Sequence, residues 1–184
     1  MTGAVSEPAA QGDPAGSGRL GRALVIASST RAAAGIYGDR GGPVLVEGLR
    51  RMGFRVAEPV VAADGEPFRQ VLVAALAEGY QVVLTTGGTG LTPGDVTPEL
   101  TAPLLTRTIP GLAEAIRARG RAGGVPTAVL SRGLAGVAGS TVVVNLPGSA
   151  GGCADGIAVL TDVLPHAVSQ VAGGDHAPPP GMAS

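Results

Sequence analysis

The chain has 184 residues, 45% of them hydrophobic, and a formal net charge of −1. This length and apolar content suit one domain with a single core, and the near-neutral charge gives no indication of a nucleic acid or an anionic membrane as partner. All 13 basic residues are arginine and Cys153 is the one cysteine, which excludes a lysine-containing Walker loop, Schiff-base chemistry, an internal disulfide and a thiolate zinc cluster.

Apolar runs and helical patterns alternate along the centre of the chain. Strands are predicted, in chain order, at residues 23–27, 54–61, 80–84, 127–130 and 141–146. Helices are predicted over residues 45–52, 68–79, 97–99 onward, 112–123 and 153–164. Continuously apolar strands are typical of a parallel sheet covered on both faces. The predicted fold is therefore a three-layer α/β domain with a mostly parallel open sheet and helices on both faces.

The two ends of the chain differ from this centre. Residues 1–20 and 173–184 are rich in Gly, Pro and Ala without periodicity, which predicts a disordered N-terminal tail and a flexible C-terminal tail around a domain at 21–172. No apolar run reaches the roughly 18 residues of a membrane span, and the first residues do not have the pattern of a signal peptide. We therefore expect a cytoplasmic protein.

Polar segments follow the predicted strands. Residues 28–31, 62–64, 85–95 and 145–149 are rich in Gly, Ser, Thr, Asn and Asp. In open α/β sheets, ligands bind beyond the carboxyl ends of the strands. We therefore expect these four segments to meet in one site.

The glycine-rich loop at residues 85–90, Thr-Thr-Gly-Gly-Thr-Gly, is the strongest of these segments. Glycines let backbone N–H groups approach an anion, and threonine hydroxyls add donors. In a chain with 31 glycines the same loop is equally well a tight turn, so both interpretations stay open on composition alone. The segment 145–149 opens the last helix and is a second candidate anion site, or simply a strand-to-helix turn.

Asp95 and Asp64 are the candidate functional carboxylates. Asp95 lies between the glycine loop and the helix start at Thr97-Pro98, where Thr97 suits the capping role. A carboxylate beside a bound phosphate commonly holds a divalent cation, which favours a functional role for Asp95. Asp64 lies between a strand and a helix, so a helix cap and a functional group are equally good interpretations. Asp39 is a further candidate cap.

The remaining candidates have less support. Arg132 follows a predicted strand and is a candidate phosphate contact, although most arginines are merely solvated. Cys153 falls on an apolar stripe and is expected in the core, and His166 is expected to be a packed or surface residue. No Ser-His-Asp triad or His/Cys metal cluster is indicated. Phosphate binding with carboxylates and Mg²⁺ suits phosphoryl or nucleotidyl transfer best.

Several of these motifs together resemble a known family. The loop at 85–90, followed by Asp-Val-Thr-Pro-Glu at 95–99, resembles the molybdenum-cofactor biosynthesis proteins of the MogA/MoaB family. Ser-Arg-Gly at 131–133 and Asn-Leu-Pro-Gly-Ser at 145–149 are similar to that family's later motifs, in the same order. The resemblance implies the molybdopterin-binding α/β fold. For catalytic members it implies Mg²⁺-dependent adenylylation of molybdopterin by ATP, which releases pyrophosphate.

The resemblance also implies roles for individual residues. Asp95 and Asp64 would be catalytic and would hold Mg²⁺. ATP would contact Ser28, Ser29, Gly87 and Gly88. Molybdopterin would contact a larger set, namely Thr86, Gly87, Gly88, Thr89, Gly90, Ser131, Arg132, Asn145, Pro147, Gly148 and Ser149.

The last expectations concern the oligomeric state, the partner protein and the alternative functions. The resemblance implies a homotrimer, or a hexamer, and a separate partner that inserts molybdate. Two other functions stay open: a non-catalytic molybdopterin-binding or assembly protein of the same family, and a nucleotide-binding module unrelated to molybdenum.

Overall fold

The computed structural model of the protein describes residues 20–36 and 38–174. Most of the two predicted tails, residues 1–19 and 175–184, lies outside the described residues, and so does His176. Within the described ranges, no helix combines the length and the apolar character that crossing a membrane requires.

One mixed sheet forms the centre of the described structure. Its strands are β1 (Arg22–Ser28), β2 (Arg55–Val56), β3 (Val60–Ala62), β4 (Val82–Thr86), β5 (Arg107–Thr108), β6 (Ala135–Ala138) and β7 (Thr141–Leu146). Their order across the sheet is β2-β1-β4-β7-β6-β5, and β3 pairs with the later part of β1. The pairs that join β1, β2, β3, β4 and β7 are parallel, whereas β6 runs antiparallel to both β5 and β7. The predicted mostly parallel sheet is confirmed.

Helices cover both faces of this sheet. They are α1 (Thr30–Ala33), α2 (Gly42–Met52), α3 (Glu66–Ala77), α4 (Thr97–Thr101), α5 (Pro110–Ala122) and α6 (Ala150–Val171). Neighbouring residues of β1 point to opposite faces: Val25 packs in the core under α2, α5 and α6, and Ile26 packs with Phe68 and Leu72 of α3. The strands are apolar at successive positions because both faces are buried, and the three-layer prediction is confirmed.

The starts of α2, α3 and α4 differ from the caps predicted for them. The cap residue of α2 is Gly41 and not the predicted Asp39, although Oδ1 of Asp39 accepts hydrogen bonds from the N–H groups of Gly41 (3.0 Å) and Gly42 (3.1 Å) and so satisfies donors at the start of the helix. At α3 the capping interpretation of Asp64 is wrong, because the cap residue is Gly65 and makes no side-chain cap. The capping role predicted for Thr97 is also wrong, because α4 begins at that residue and its buried hydroxyl has no hydrogen-bond partner.

Two predicted strands differ from the structure. Pro126–Leu130 is a short 3₁₀ helix, because Pro126 has no N–H for a strand ladder and the segment lies outside the sheet with Leu130 half exposed. Residues 54–61 contain the separate strands β2 and β3 rather than one, since Pro59 interrupts the ladder between them.

The sequence pattern does not predict β5 and β6. Residues 135–138 lie between the predicted strands at 127–130 and 141–146 and form β6, which pairs with β5 and β7. Gly136 pairs with Thr108 and Val143, and a Cβ at Gly136 would collide with the backbone oxygen of Arg107. The small residues therefore permit close approach of neighbouring strands, which composition alone does not distinguish from a turn.

Candidate functional site

The carboxyl ends of four parallel strands meet at one edge of the sheet. In the strand register, Ser28 at the end of β1 lies opposite Ala62 at the end of β3. Ala27 lies opposite Thr86 at the end of β4, and Thr86 lies opposite Leu146 at the end of β7. The register therefore brings together the polar segments that follow these strands, as expected for an α/β ligand site.

An open cleft of about 1290 Å³ lies at this edge. Most of the predicted site residues line it: Ser28, Ser29, Asp64, Thr86, Gly87, Gly88, Thr89, Gly90, Asp95, Ser131, Pro147, Gly148 and Ser149. Arg132 and Asn145 are predicted site residues that do not line it.

The glycine loop has a conformation and a packing that require glycine. Gly87 and Gly88 have φ values of +93° and +63°, which residues with a side chain rarely adopt. A Cβ at Gly87 would collide with the backbone oxygen of Ser28, and the Cα of Gly87 lies 3.3 Å from where a Cβ of Gly148 would be. The N–H of Gly87 donates to the backbone oxygen of Leu146 (3.1 Å). The loop is therefore held directly against β1 and against the turn before α6.

Asp95 lies in a tight turn that returns the chain to the glycine loop. Its Oδ2 accepts hydrogen bonds from the N–H of Thr92 (2.9 Å) and from the hydroxyl of Thr92 (2.6 Å). The side-chain hydrogen bond from Thr92 lowers the pKa of Asp95, and the backbone N–H groups of Thr92 and Gly90 and the charge of Arg132 act in the same direction. Asp95 is therefore an ionised, half-buried carboxylate at the wall of the cleft.

Asp64 holds the loop that follows β1. Its Oδ1 accepts from the hydroxyl of Ser28 (2.8 Å), and its Oδ2 accepts from the N–H (3.0 Å) and the hydroxyl (2.7 Å) of Thr30. Both carboxylate oxygens thus have protein donors. Asp64 lines the cleft, and part of its hydrogen-bonding capacity is used to shape the cleft wall.

The turn Pro147–Ser149 opens α6, the longest helix described. Ser149 is its cap residue, and the Ser149 hydroxyl accepts from the N–H of Gly152 (3.1 Å). The backbone oxygen of Pro147 accepts from the hydroxyl of Thr86 (2.8 Å), which ties this turn to the end of β4. Cys153, one turn into α6, is fully buried as predicted, and burial raises the pKa of its thiol to about 11.

Arg132 turns towards the glycine loop and away from the cleft. Its Nε donates to the backbone oxygen of Gly90 (2.7 Å), and its other guanidinium nitrogens contact the backbone oxygen of Asp95 and the carboxylate of Glu99. Each guanidinium nitrogen thus has a protein partner, and one further N–H on each Nη is not accounted for by these contacts. The structure thus gives Arg132 contacts different from the direct phosphate contact that its sequence position suggested.

Asn145 lies beneath the glycine loop. It is 4% exposed, and its Nδ2 donates to the hydroxyls of Thr85 (3.0 Å) and Thr101 (3.2 Å). These contacts connect β7, β4 and α4 under the loop. Asn145 therefore supports the floor of the site.

Several charged residues of the cleft were not predicted from the sequence. Arg40, Arg117 and Asp155 line the cleft together with Asp39, which had been assigned only a capping role, and with Arg31 of the β1 loop. Arg117 lies on α5, and Asp155 lies on α6. A charged residue on a helix has the same sequence pattern whether it faces solvent or a cleft, so no sequence signal distinguishes these positions.

The carboxylates of the cleft fit a magnesium site in which the substrate supplies part of the coordination. Within the described residues, no group of three or more His, Cys, Asp or Glu side chains could hold a metal by itself. Magnesium in phosphoryl-transfer sites is held by one or two carboxylates together with substrate phosphates, and it keeps several waters. The ionised Asp95 beside the glycine loop fits that donor set.

Comparison with known proteins agrees with this architecture. A family model described as "Probable molybdopterin binding domain" matches residues 24–166. The molybdopterin biosynthesis Mog protein from Mycobacterium ulcerans is 49% identical, with a TM-score of 0.77 and 85% of this chain and 99% of that chain covered. The molybdopterin biosynthesis enzyme MoaB from Thermus thermophilus is 40% identical, with a TM-score of 0.77 and coverages of 85% and 99%.

Curated relatives include proteins of similar and of greater length. A molybdopterin adenylyltransferase from Helicobacter pylori is 32% identical over 154 residues, which cover 81% of this chain and 86% of that protein. Against two bifunctional molybdenum cofactor biosynthesis proteins, the chain spans about half of their length, 54% and 50%. The match over residues 24–166 and the shared fold lead to one conclusion: the chain belongs to the MogA/MoaB family of molybdenum cofactor biosynthesis proteins with a molybdopterin-binding domain.

Proposed function

We propose that this protein adenylylates molybdopterin, with ATP as the adenylyl donor and pyrophosphate as the second product. The observation that carries the proposal is the cleft itself. In it, the glycine loop, the ionised Asp95 and the turn before α6 converge at the carboxyl ends of parallel strands. The names of several relatives, among them the Helicobacter pylori adenylyltransferase, support the same reaction.

The reaction needs positioning rather than a protein nucleophile. An oxygen of the terminal phosphate of molybdopterin attacks the α-phosphorus of ATP, and the bond to the β-phosphate breaks as pyrophosphate leaves. Backbone N–H groups of Gly88 and Thr89 would hold the molybdopterin phosphate, together with the hydroxyl of Thr89. Gly87, Gly90 and Thr86 would line the phosphate site without donating to it, because their N–H or hydroxyl groups already donate to Leu146, Asp95 and Pro147. Ser28 and Ser29 would contact the nucleotide beside Gly87 and Gly88. Holding two anionic substrates in line is the main contribution that such a site makes to the rate.

The remaining positions have supporting roles in this proposal. Ser131, Pro147, Gly148 and Ser149 would contact molybdopterin from the cleft wall, whereas Arg132 and Asn145 act from outside the cleft. Asp95 and Asp64 would hold Mg²⁺ together with substrate phosphates, and each carboxylate also accepts hydrogen bonds from the protein. When bound, the ion supplies positive charge that offsets repulsion between the phosphates.

Incubation of the protein with molybdopterin, ATP and Mg²⁺ tests this reaction. We expect pyrophosphate and adenylylated molybdopterin in equal amounts. The matched control is Asp95→Asn, which we expect to keep molybdopterin binding and to lose most of the turnover, because the charge is removed while the shape is kept. If the folded wild-type protein forms neither product, the proposed reaction is wrong.

One observation favours a second candidate, a non-catalytic molybdopterin-binding or assembly protein. Both oxygens of Asp64 and Oδ2 of Asp95 already accept protein hydrogen bonds, which takes up much of the carboxylate capacity that a metal would use. Backbone N–H groups of the glycine loop can bind an anion without a metal. Calorimetry that detects tight molybdopterin binding without ATP consumption would favour this candidate, and nucleotide binding without molybdopterin binding would favour a general nucleotide-binding module.

The proposal also covers the oligomeric state of the protein, its location in the cell and a partner protein. We expect a homotrimer, or a hexamer, which sedimentation analysis would detect, and a cytoplasmic location. We also expect a separate protein to insert molybdate.

A further inference from the structure

Arg132 makes four contacts with the segment that runs from the glycine loop into α4. Its backbone N–H donates to the oxygen of Thr89 (2.9 Å), and its Nε donates to the oxygen of Gly90 (2.7 Å). A second guanidinium nitrogen contacts the backbone oxygen of Asp95, and the third contacts the carboxylate of Glu99. Every nitrogen of this residue therefore contacts the segment.

The planar guanidinium suits this task better than any other cation. Its nitrogens lie in a rigid fork, so Nε and Nη can reach two carbonyl oxygens at the same time. Here those oxygens belong to Gly90 and Asp95, which are the two ends of the turn at residues 90–95. Bonds from a charged donor to these carbonyls close the turn from outside the cleft.

The position of the Asp95 carboxylate depends on this closed turn. The Asp95 side chain folds back onto Thr92, and its Oδ2 lies 2.8 Å from where a Cβ of Gly90 would be. Asp95 lines the cleft, and its backbone oxygen is held by Arg132, which does not line the cleft. Any rotation of the Asp95 backbone would change both positions together.

We propose that Arg132 is a positioning residue that joins Gly90 to Asp95 and so fixes the turn that carries the Asp95 carboxylate at the wall of the cleft. It acts through the backbone and does not touch the substrates. Glu99 has a lesser part, because its contact with Arg132 is largely solvent-exposed, with 54% of the Glu99 side chain accessible, and exposed ion pairs contribute little. The role in turnover rests on the proposed adenylyl transfer, whereas the structural role does not.

Amide hydrogen exchange, measured by NMR on the full chain, tests the structural role without any substrate. Three N–H groups report on the turn. The N–H of Thr92 donates to Oδ2 of Asp95, and the N–H of Asp95 donates to the backbone oxygen of Thr92. The N–H of Thr97 donates to the backbone oxygen of Gly88. In Arg132→Gln we expect their exchange to accelerate by about tenfold or more, because bonds from a charged donor are lost. The N–H of Gly87, which is bonded to Leu146 on the other side of the loop, should exchange at the wild-type rate.

Two further variants separate the geometry of the fork from its charge. Arg132→Lys keeps the charge but cannot reach both carbonyls, so we expect it to behave like Arg132→Gln. Glu99→Gln removes the ion pair and keeps the fork, so the three reporter amides should exchange within about twofold of wild type. Thermal unfolding confirms that each variant is folded, and the lysine variant carries the test if the glutamine variant does not fold.

The outcomes decide the proposal in either direction. Wild-type exchange of the reporter amides in folded Arg132→Gln, or full restoration by lysine, would overturn it. In the adenylylation assay we expect Arg132→Gln to lower kcat by about tenfold while the KM for ATP and for molybdopterin stays within about twofold. A raised KM with unchanged kcat would instead show direct phosphate binding and overturn positioning. If the wild-type protein lacks turnover, the proposed reaction fails, and the exchange data still test Arg132.

Discussion

The hydroxyl of Ser28 donates a 2.8 Å hydrogen bond to Oδ1 of Asp64, which links the end of β1 to the segment that follows β3. The neighbouring Thr30 uses its N–H and its hydroxyl on the other carboxylate oxygen. Asp64 thus shapes the part of the cleft that would meet the nucleotide. Loss of its charge should therefore affect both the stability of the fold and the use of ATP.

We expect Asp64→Asn to lower the free energy of unfolding by about 1 kcal/mol, because bonds to a carboxylate are replaced by weaker bonds to an amide. Urea unfolding measures this change. Glu66→Gln is the matched control, since Glu66 is an exposed residue two positions further on whose ion pair with Arg69 is also exposed, and it should stay within about 0.5 kcal/mol of wild type. Equal stabilities of Asp64→Asn and wild type would contradict the role assigned to Asp64.

The lowered pKa of Asp95 makes a prediction about pH. Its largest cause is the hydrogen bond from the side chain of Thr92, which stabilises the ionised form in the folded protein. A lowered folded-state pKa contributes stability that is fully present above the unfolded value, about 4 for Asp, and that is lost as the pH falls through the folded value. The difference in unfolding free energy between wild type and Asp95→Asn should therefore be constant between about pH 7 and pH 5. It should become smaller as the pH falls further, because Asp95 is then protonated.

Thr92→Ala provides the matched background for this experiment. Without the Thr92 hydroxyl the pKa of Asp95 should rise towards its ordinary value, and the effect of Asp95→Asn on stability should shrink. A stability difference that does not change with pH in either background would contradict the hydrogen bond as the cause.

Gly87→Ala should destabilise the protein by more than about 1 kcal/mol, because an alanine at that φ is strained and its Cβ would collide with the oxygen of Ser28. Gly94→Ala is the control in the same part of the chain, since Gly94 has no atom within 4 Å of a Cβ position and its φ is not positive. We expect the control to unfold like wild type in a denaturant titration. Equal effects of the two substitutions would show that the loop relaxes without cost.

Cys153 should react slowly with thiol reagents in the folded protein. It is fully buried, and its pKa of about 11 leaves little thiolate at pH 8, so both access and reactivity are low. Because it is the one cysteine in the chain, the rate of colour release from a disulfide reagent reports on this residue alone. The reaction should become fast in guanidinium chloride, and a fast reaction in buffer would show that the start of α6 opens readily.

The fold was largely predictable because its main signals are local. Buried strands β1, β4 and β7 are short apolar runs, and α6 has an apolar stripe from Cys153 to Leu164. Strands β5 and β6 were not predictable, because Gly136 is selected by the approach of two neighbouring strands and not by its own segment. Residues 127–130 have a composition typical of a strand, but they form a 3₁₀ helix, because Pro126 has no N–H for a strand ladder and the segment lies outside the sheet.

The sequence by itself determined which segments would meet: the polar residues after β1, β3, β4 and β7 lie together because parallel strands end at one edge of a sheet. It did not determine what each side chain does there. Only the tertiary structure placed Arg132 behind the loop on Gly90 and Asp95, and Asn145 under it on Thr85 and Thr101. The physical reason is that a side chain's role depends on which donors and acceptors surround it, and those partners come from segments far apart in the chain.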